Sequence, residues 1–110
     1  MREVKFRVRF DNDTAARVRF NVGRKQVFAF TVQLECFIED EWRPIVRYDT
    51  AHGFAHRDVL RPGGETEKTR LDAQDYNTAL TLAINDLRQN WAKYRLRYEQ
   101  WLREKQRRKG

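Results

Sequence analysis

The sequence holds a single cysteine, Cys36, and that scarcity removes two classes of protein at once. Without a second thiol there is no disulfide within the chain, and no thiolate cage for zinc can be assembled. Cys36 falls on the apolar side of a strand pattern, where a buried, inert thiol is expected rather than a nucleophile. Long hydrophobic runs are missing as well. No stretch approaches the roughly 20 apolar residues that span a bilayer. The opening MREVKFRVRF alternates charge with apolar residues and lacks the continuous apolar segment of a signal peptide. A soluble, cytoplasmic protein with no membrane contact is expected. Established nucleic-acid motifs are lacking too: there is no aromatic ribonucleoprotein run, no GXXG clamp and no zinc finger.

What the chain does have is charge and alternation. Its 110 residues suffice for one modest core, so a single domain over 1–110 is expected. The net charge of +7 is unevenly placed. Residues 1–87 are balanced, whereas residues 88–110 carry nine Lys/Arg, among them Arg103, Arg107 and Arg108, against Glu99 and Glu104. That end of the chain is where an anionic partner would be attracted.

Apolar residues fall on even positions through the first two thirds: Val4, Phe6, Val8 and Phe10; Val18, Phe20 and Val22; Phe28 to Ile38; then Trp42, Val46, Tyr48, Phe54 and Leu60. A period of two over such a length means strands with one buried face. The runs are separated by turn signals: DNDT at 11–14, GRK at 23–25, EDE at 39–41, TAHG at 50–53 and PGG at 62–64. Loops this short join antiparallel neighbours, because a parallel return needs a crossover of a dozen or more residues. ETEKTRL at 65–71 has little to bury and reads as a protective edge strand.

From Asp72 the period changes. Asp72 reads as an N-cap, and Tyr76, Leu80, Ile84, Leu87, Trp91, Tyr94, Tyr98, Trp101 and Leu102 follow at spacings of three and four. The expected fold is therefore α+β: a five- or six-stranded antiparallel meander over 1–71, with one long amphipathic helix over 72–108 packed on its apolar face. A helix of that length outruns strands of about eight residues. Its distal aromatics, Trp91, Tyr94, Tyr98 and Trp101, are either further core or the surface of a homodimer.

The odd face of the first strands is cationic, with Lys5, Arg7, Arg9, Arg17 and Arg19, and Arg47 and Arg57 continue it later in the chain. Such a face is a solvated surface or a phosphate-binding one, and the phosphate reading makes nucleic acid the expected partner.

Both histidines of the chain lie in one short stretch, YDTAHGFAHRD at 48–58. Gly53 suits the positive φ of a hairpin loop, which puts His52 in the loop and His56 on the following strand. His56 and Asp58 occupy even positions, so the alternation places them among the apolar residues, where they must be hydrogen-bonded or poised for chemistry. A histidine serves as general acid or base near neutral pH, an aspartate fixes its tautomer, and Arg47 or Arg57 could hold a phosphate. Asp49, His52, His56 and Asp58 are thus the candidate catalytic group for metal-independent phosphodiester cleavage, with no cofactor. The same four residues could supply N and O ligands to a metal, but alternation sends strand neighbours to opposite faces, and no metal is assigned.

The stretch RYDTAHGFAHRD resembles the signature of small bacterial TumE-type toxins of toxin–antitoxin pairs, in Tyr48, Asp49, Ala51, His52 and His56. Thr50 stands in place of an asparagine, and Asp58 in place of a further histidine. The resemblance implies an intracellular toxin acting on RNA more than on DNA, with an antitoxin protein as partner.

Overall fold

A computed structural model of the chain describes residues 1–109. Six strands form one open antiparallel sheet in chain order, β1 (Arg2–Asp11), β2 (Thr14–Gly23), β3 (Gln26–Ile38), β4 (Glu41–Asp49), β5 (His56–Leu60) and β6 (Thr66–Arg70). One helix, α1 (Tyr76–Lys109), crosses the sheet and rests chiefly on β3 and β4. The protein is the α+β meander with a long C-terminal helix that the alternation predicts.

Two of the turns are two-residue hairpin loops with both residues left-handed: Arg24 and Lys25 at φ 50° and 64°, and Glu39 and Asp40 at φ 53° and 64°. That geometry matches the right-handed twist of the strands it joins, which offsets the strain of positive φ outside glycine. Pro44 lies in β4 beside the break in its pairing with β3, and β5 pairs with β4 only over Val46–Asp49, so Pro44 is outside the doubly paired part of the strand.

Even residues do lie under the helix in β2, in β3 from Phe30 onward and in the second half of β4, whereas Phe28 is 49% exposed and Val27 packs against the core instead, because the pairing skips Phe28. Val18, Phe30, Val32, Leu34, Cys36, Val46 and Tyr48 form the core with Ala79, Leu80, Ala83, Leu87 and Tyr98 of α1. Ala79 and Ala83, one turn apart, present only methyl groups and let the helix approach the sheet closely. Leu87 is completely buried, a contribution of about 2 kcal/mol in transfer free energy.

The pairing shifts at Phe10 and at Phe28, near the first two turns, and the parity breaks in two further places. Leu34 pairs with Val46 but Glu35 pairs with Pro44, which leaves Ile45 as a bulge. Residues before it change face, so Arg43 opposes Cys36 on the helix side, while Trp42 opposes Phe37 on the outer side. The second break follows from β4 pairing with β5 as Asp49↔His56 and Arg47↔Asp58, odd against even. His56 and Asp58 therefore stand on the outer face, away from the helix, and Arg57 stands under it. The expectation that the histidine and aspartate share the apolar face is corrected here: a loop residue more or less between two strands transfers every later side chain to the other side.

The helix begins later than Asp72. Asp75 caps it, accepting from the Thr78 N–H at 2.7 Å, and that bond holds the Asp75 carboxyl below its ordinary range. Asn77 ties the first turn to the β2–β3 hairpin, accepting from the Val27 N–H at 2.8 Å and donating to the Lys25 carbonyl at 3.0 Å. At 1.5 Å per residue the helix is about 51 Å long, nearly the 54 Å maximum extent of the molecule. Its far half is engaged by the chain itself. Trp91 stacks on Phe10 with centroids 5.5 Å apart, Tyr98 is buried, and Trp101 lies under Arg61 at 4.1 Å. Lys105 donates to the Pro62 carbonyl and Gln106 to Glu39, both at 3.1 Å. Trp91, Tyr94, Tyr98 and Trp101 thus all pack within the chain, Tyr98 buried and the other three half-buried.

Candidate nucleic-acid interface on the outer sheet face

With α1 on one side, the other face of the sheet is free, and it carries the odd residues of β1 to β3. Its cations are placed by direct cross-strand pairing, Lys5 opposite Arg19 and Arg7 opposite Arg17. Paired residues on one face stand about 5 Å apart at Cβ, and like charges in that position are destabilising. Relief from acids is partial. Arg17 meets Glu35 at 3.7 Å and Lys5 meets Glu3 at 3.2 Å, whereas Arg7 and Arg19 have no carboxylate within ion-pair distance among the described residues. Arg9 is tied to the β1–β2 turn through the Asp11 and Asn12 carbonyls, at 3.3 Å each. Arg47 donates to Gln33 at 2.8 Å.

The face is concave. Arg7 on β1 places its guanidinium 4.7 Å over the Trp42 ring of β4, so the two side chains meet above the intervening strands. Trp42 in turn packs on Phe37 with centroids 5.6 Å apart, and both rings are more than a third exposed. A cavity of about 530 Å³ lies along Lys5, Arg7, Arg17, Arg19, Thr31 and Gln33. A second, of about 550 Å³, shares Arg19 and Thr31 with it and extends to Asp49, Thr50 and Ala51. The two make one trough, with an aromatic pair towards one end and the histidine loop at the other.

At that far end Asp49, His56 and Asp58 converge. Their ligand atoms all lie within 4.8 Å of one another. His56 Nε2 is 2.9 Å from Asp49 Oδ1 and 3.6 Å from Asp58 Oδ2, and Nδ1 faces the Phe54 carbonyl at 3.4 Å. His56 is 1% exposed. His52 is exposed and stacks on it with centroids 5.7 Å apart. The loop holds its shape through Gly53 at φ 83°, through the Gly53 N–H bonded to the Thr50 carbonyl, and through Asp49 Oδ1 accepting from the Ala51 N–H at 3.1 Å. Three of the four sequence-derived residues are therefore brought together, with His52 as their lid.

Arg57 does not join them. It lies under the helix and donates to the Tyr94 hydroxyl at 3.0 Å, while its Nε is buried without a partner. It belongs to a polar cluster that sequence reasoning missed: Tyr48 and Tyr94 both donate to Asp86 Oδ2, the latter at 2.5 Å, and Asn90 donates to Asp86 Oδ1 at 2.8 Å. Burial first, and the Asp86 contact second, push the Tyr94 hydroxyl up to about 12. The available signal was Asp86 itself, an acid within the apolar stripe of α1, one residue before Leu87. Arg103, Arg107 and Arg108 are exposed near the end of α1, on the opposite side of the sheet from the trough.

Fold and face together define an open-sheet protein with one helix behind and a cationic trough in front. The chain belongs to the family described as Domain of unknown function (DUF7718), whose model matches residues 1–104. No curated protein and no solved structure matches it.

Proposed function

We propose that the protein is a single-stranded nucleic-acid-binding module, with RNA as the ligand, and that the trough is its binding surface. The observation that carries this reading is the pair of direct like-charge contacts, Lys5↔Arg19 and Arg7↔Arg17, on an uncovered face. Four cations held opposite one another cost stability in the free protein and lose that cost when phosphates lie between them. The exposed Phe37 and Trp42 rings supply stacking surface for unpaired bases, and the guanidinium planes add to it. The choice of RNA follows the resemblance of the 48–58 stretch to RNA-directed toxins.

The test is fluorescence anisotropy of a labelled single-stranded RNA at several salt concentrations, beside the matched DNA strand and the duplex. Binding that steepens at low salt, prefers the single RNA strand and fails in an Arg7→Ala, Arg19→Ala variant supports the reading. Equal affinity in that variant sinks it.

A second reading, cleavage of the bound RNA by a cytoplasmic toxin controlled by an antitoxin, is favoured by the exposed His52, next in the chain to Ala51 of the trough lining. His56, enclosed and hydrogen-bonded, would position that end rather than touch substrate. Induced expression of the wild type beside His52→Gln in a bacterial host tests it: growth arrest by both, or by neither, removes His52 as the acting group.

A further inference from the structure

We propose that Asp49, His56 and Asp58 form a divalent-cation site, taking a first-row ion such as Zn²⁺ or Mn²⁺. In the tautomer that donates from Nδ1 to the Phe54 carbonyl oxygen, 3.4 Å away, the lone pair of Nε2 points the other way. There it meets Asp49 Oδ1 at 2.9 Å and Asp58 Oδ2 at 3.6 Å. In that tautomer three acceptors face one another and repel unless a cation sits among them. Donors about 2.1 Å from one ion stand roughly 3–3.5 Å apart, which is close to both contacts.

A second observation comes from the other oxygen of Asp58. The residue is 9% exposed, yet Oδ1 has no hydrogen-bond partner and only the Lys68 ammonium nearby, at 3.6 Å. That half-exposed ammonium offsets the charge without hydrogen-bonding it, whereas buried carboxylate oxygens are normally hydrogen-bonded or metal-bound. One imidazole nitrogen and two carboxylates suit zinc or manganese and exclude soft cuprous ion. Asp49 lines the trough, which provides an entry path. The site stands on its own residues and does not depend on RNA binding.

The rival is a proton on Nε2, which would donate to Asp49 and satisfy the same atoms without metal. Isothermal titration of the untagged, chelator-stripped full chain with Zn²⁺ and Mn²⁺ separates the two, with the Co²⁺ absorption spectrum as a check on nitrogen–oxygen coordination. One equivalent is expected to bind, about tenfold or more weakly in Asp49→Asn and Asp58→Asn. Lys68→Met is expected to bind more tightly, because it removes the ammonium that competes for Asp58. That residue is about half exposed on an edge strand, so its variant remains informative even where an aspartate variant fails to fold. No saturable binding by the wild type and Lys68→Met, or binding unchanged in a folded Asp58→Asn, would overturn the site in favour of a hydrogen bond from His56 Nε2 to Asp49.

Discussion

Arg7 and Trp42 lie on strands that do not pair, yet the guanidinium of the first sits 4.7 Å above the ring of the second. The contact marks where cation and aromatic surface meet in the trough. Base stacking on an aromatic ring is worth about 1–3 kcal/mol per base and involves no counterion. Trp42→Ala is therefore expected to weaken single-stranded RNA binding about five-fold to a hundred-fold while leaving the slope of log affinity against log salt unchanged. Anisotropy titrations across salt concentrations read both quantities. A changed slope with unchanged affinity at low salt would show that Trp42 acts only by placing Arg7.

Arg19 offers the reverse signature. It faces Lys5 across β1 and β2 and has no acid in reach among the described residues, so its charge opposes folding in the free protein. Arg19→Thr is expected to raise stability by a few tenths of a kcal/mol, since threonine also suits a strand, and to lower the RNA salt slope by about one unit. Urea denaturation and anisotropy on the same preparation decide. Loss of stability in the variant would mean that Arg19 is held by contacts worth more than its repulsion.

How far the sequence could be read depended on register. Alternation located β1 to β4 and most of their buried face, because each two-residue turn pairs an odd with an even residue and a bulge at Phe10, Phe28 or Ile45 restores the parity that Val18, Val32, Leu34 and Tyr48 share. It failed on the residues before Ile45, where a bulge adds a residue, and across residues 50–55, where the loop joins odd Asp49 to even His56. Neither break leaves a mark in composition, since Ile45 and Val46 are both apolar and both buried. Within the stretch 48–58 alternation puts His56 and Asp58 on the apolar face, whereas they stand on the outer one; of the two arginines grouped with them, Arg47 shares their face and Arg57 lies under the helix. The apolar stripe located α1, and it concealed Asp86 by the same token.

Alkaline pH should expose two groups. Burial raises the Cys36 thiol from 9.0 to about 11, and burial with the Asp86 contact raises Tyr94 from 10.0 to about 12. In both the fold favours the protonated, neutral form. The stability they contribute is fully present below the unfolded values and is lost as pH rises through about 11 and then about 12. Thermal midpoints should stay level up to about pH 9 and fall above it, and Cys36→Ala should remove the earlier part of the fall. Cys36 should also resist alkylation in the folded protein at neutral pH. Rapid labelling there would contradict the burial that causes the shift.

Asp86 is the junction of sheet and helix. Its Oδ2 accepts from Tyr48 of β4 and from Tyr94 one face further along α1, and Oδ1 accepts from Asn90. Arg57 from β5 donates into the same cluster through Tyr94. Asp86→Ala removes the acceptor that both hydroxyls use, and Tyr48, at 1% exposure, cannot turn to water instead. A hydrogen bond to a charged group contributes about 1.5–3 kcal/mol, and a buried donor left unpaired costs about 1–3 kcal/mol. The expected loss is about 2–4 kcal/mol, read as a lower urea midpoint with little change in slope. Asp86→Asn keeps one carbonyl oxygen as acceptor and should lose less. Because the cluster lies on the helix side of the sheet, RNA affinity of the folded fraction should be unaffected. An Asp86→Asn protein of full stability that no longer binds RNA would place the binding surface on the helix side and overturn the assignment of the trough.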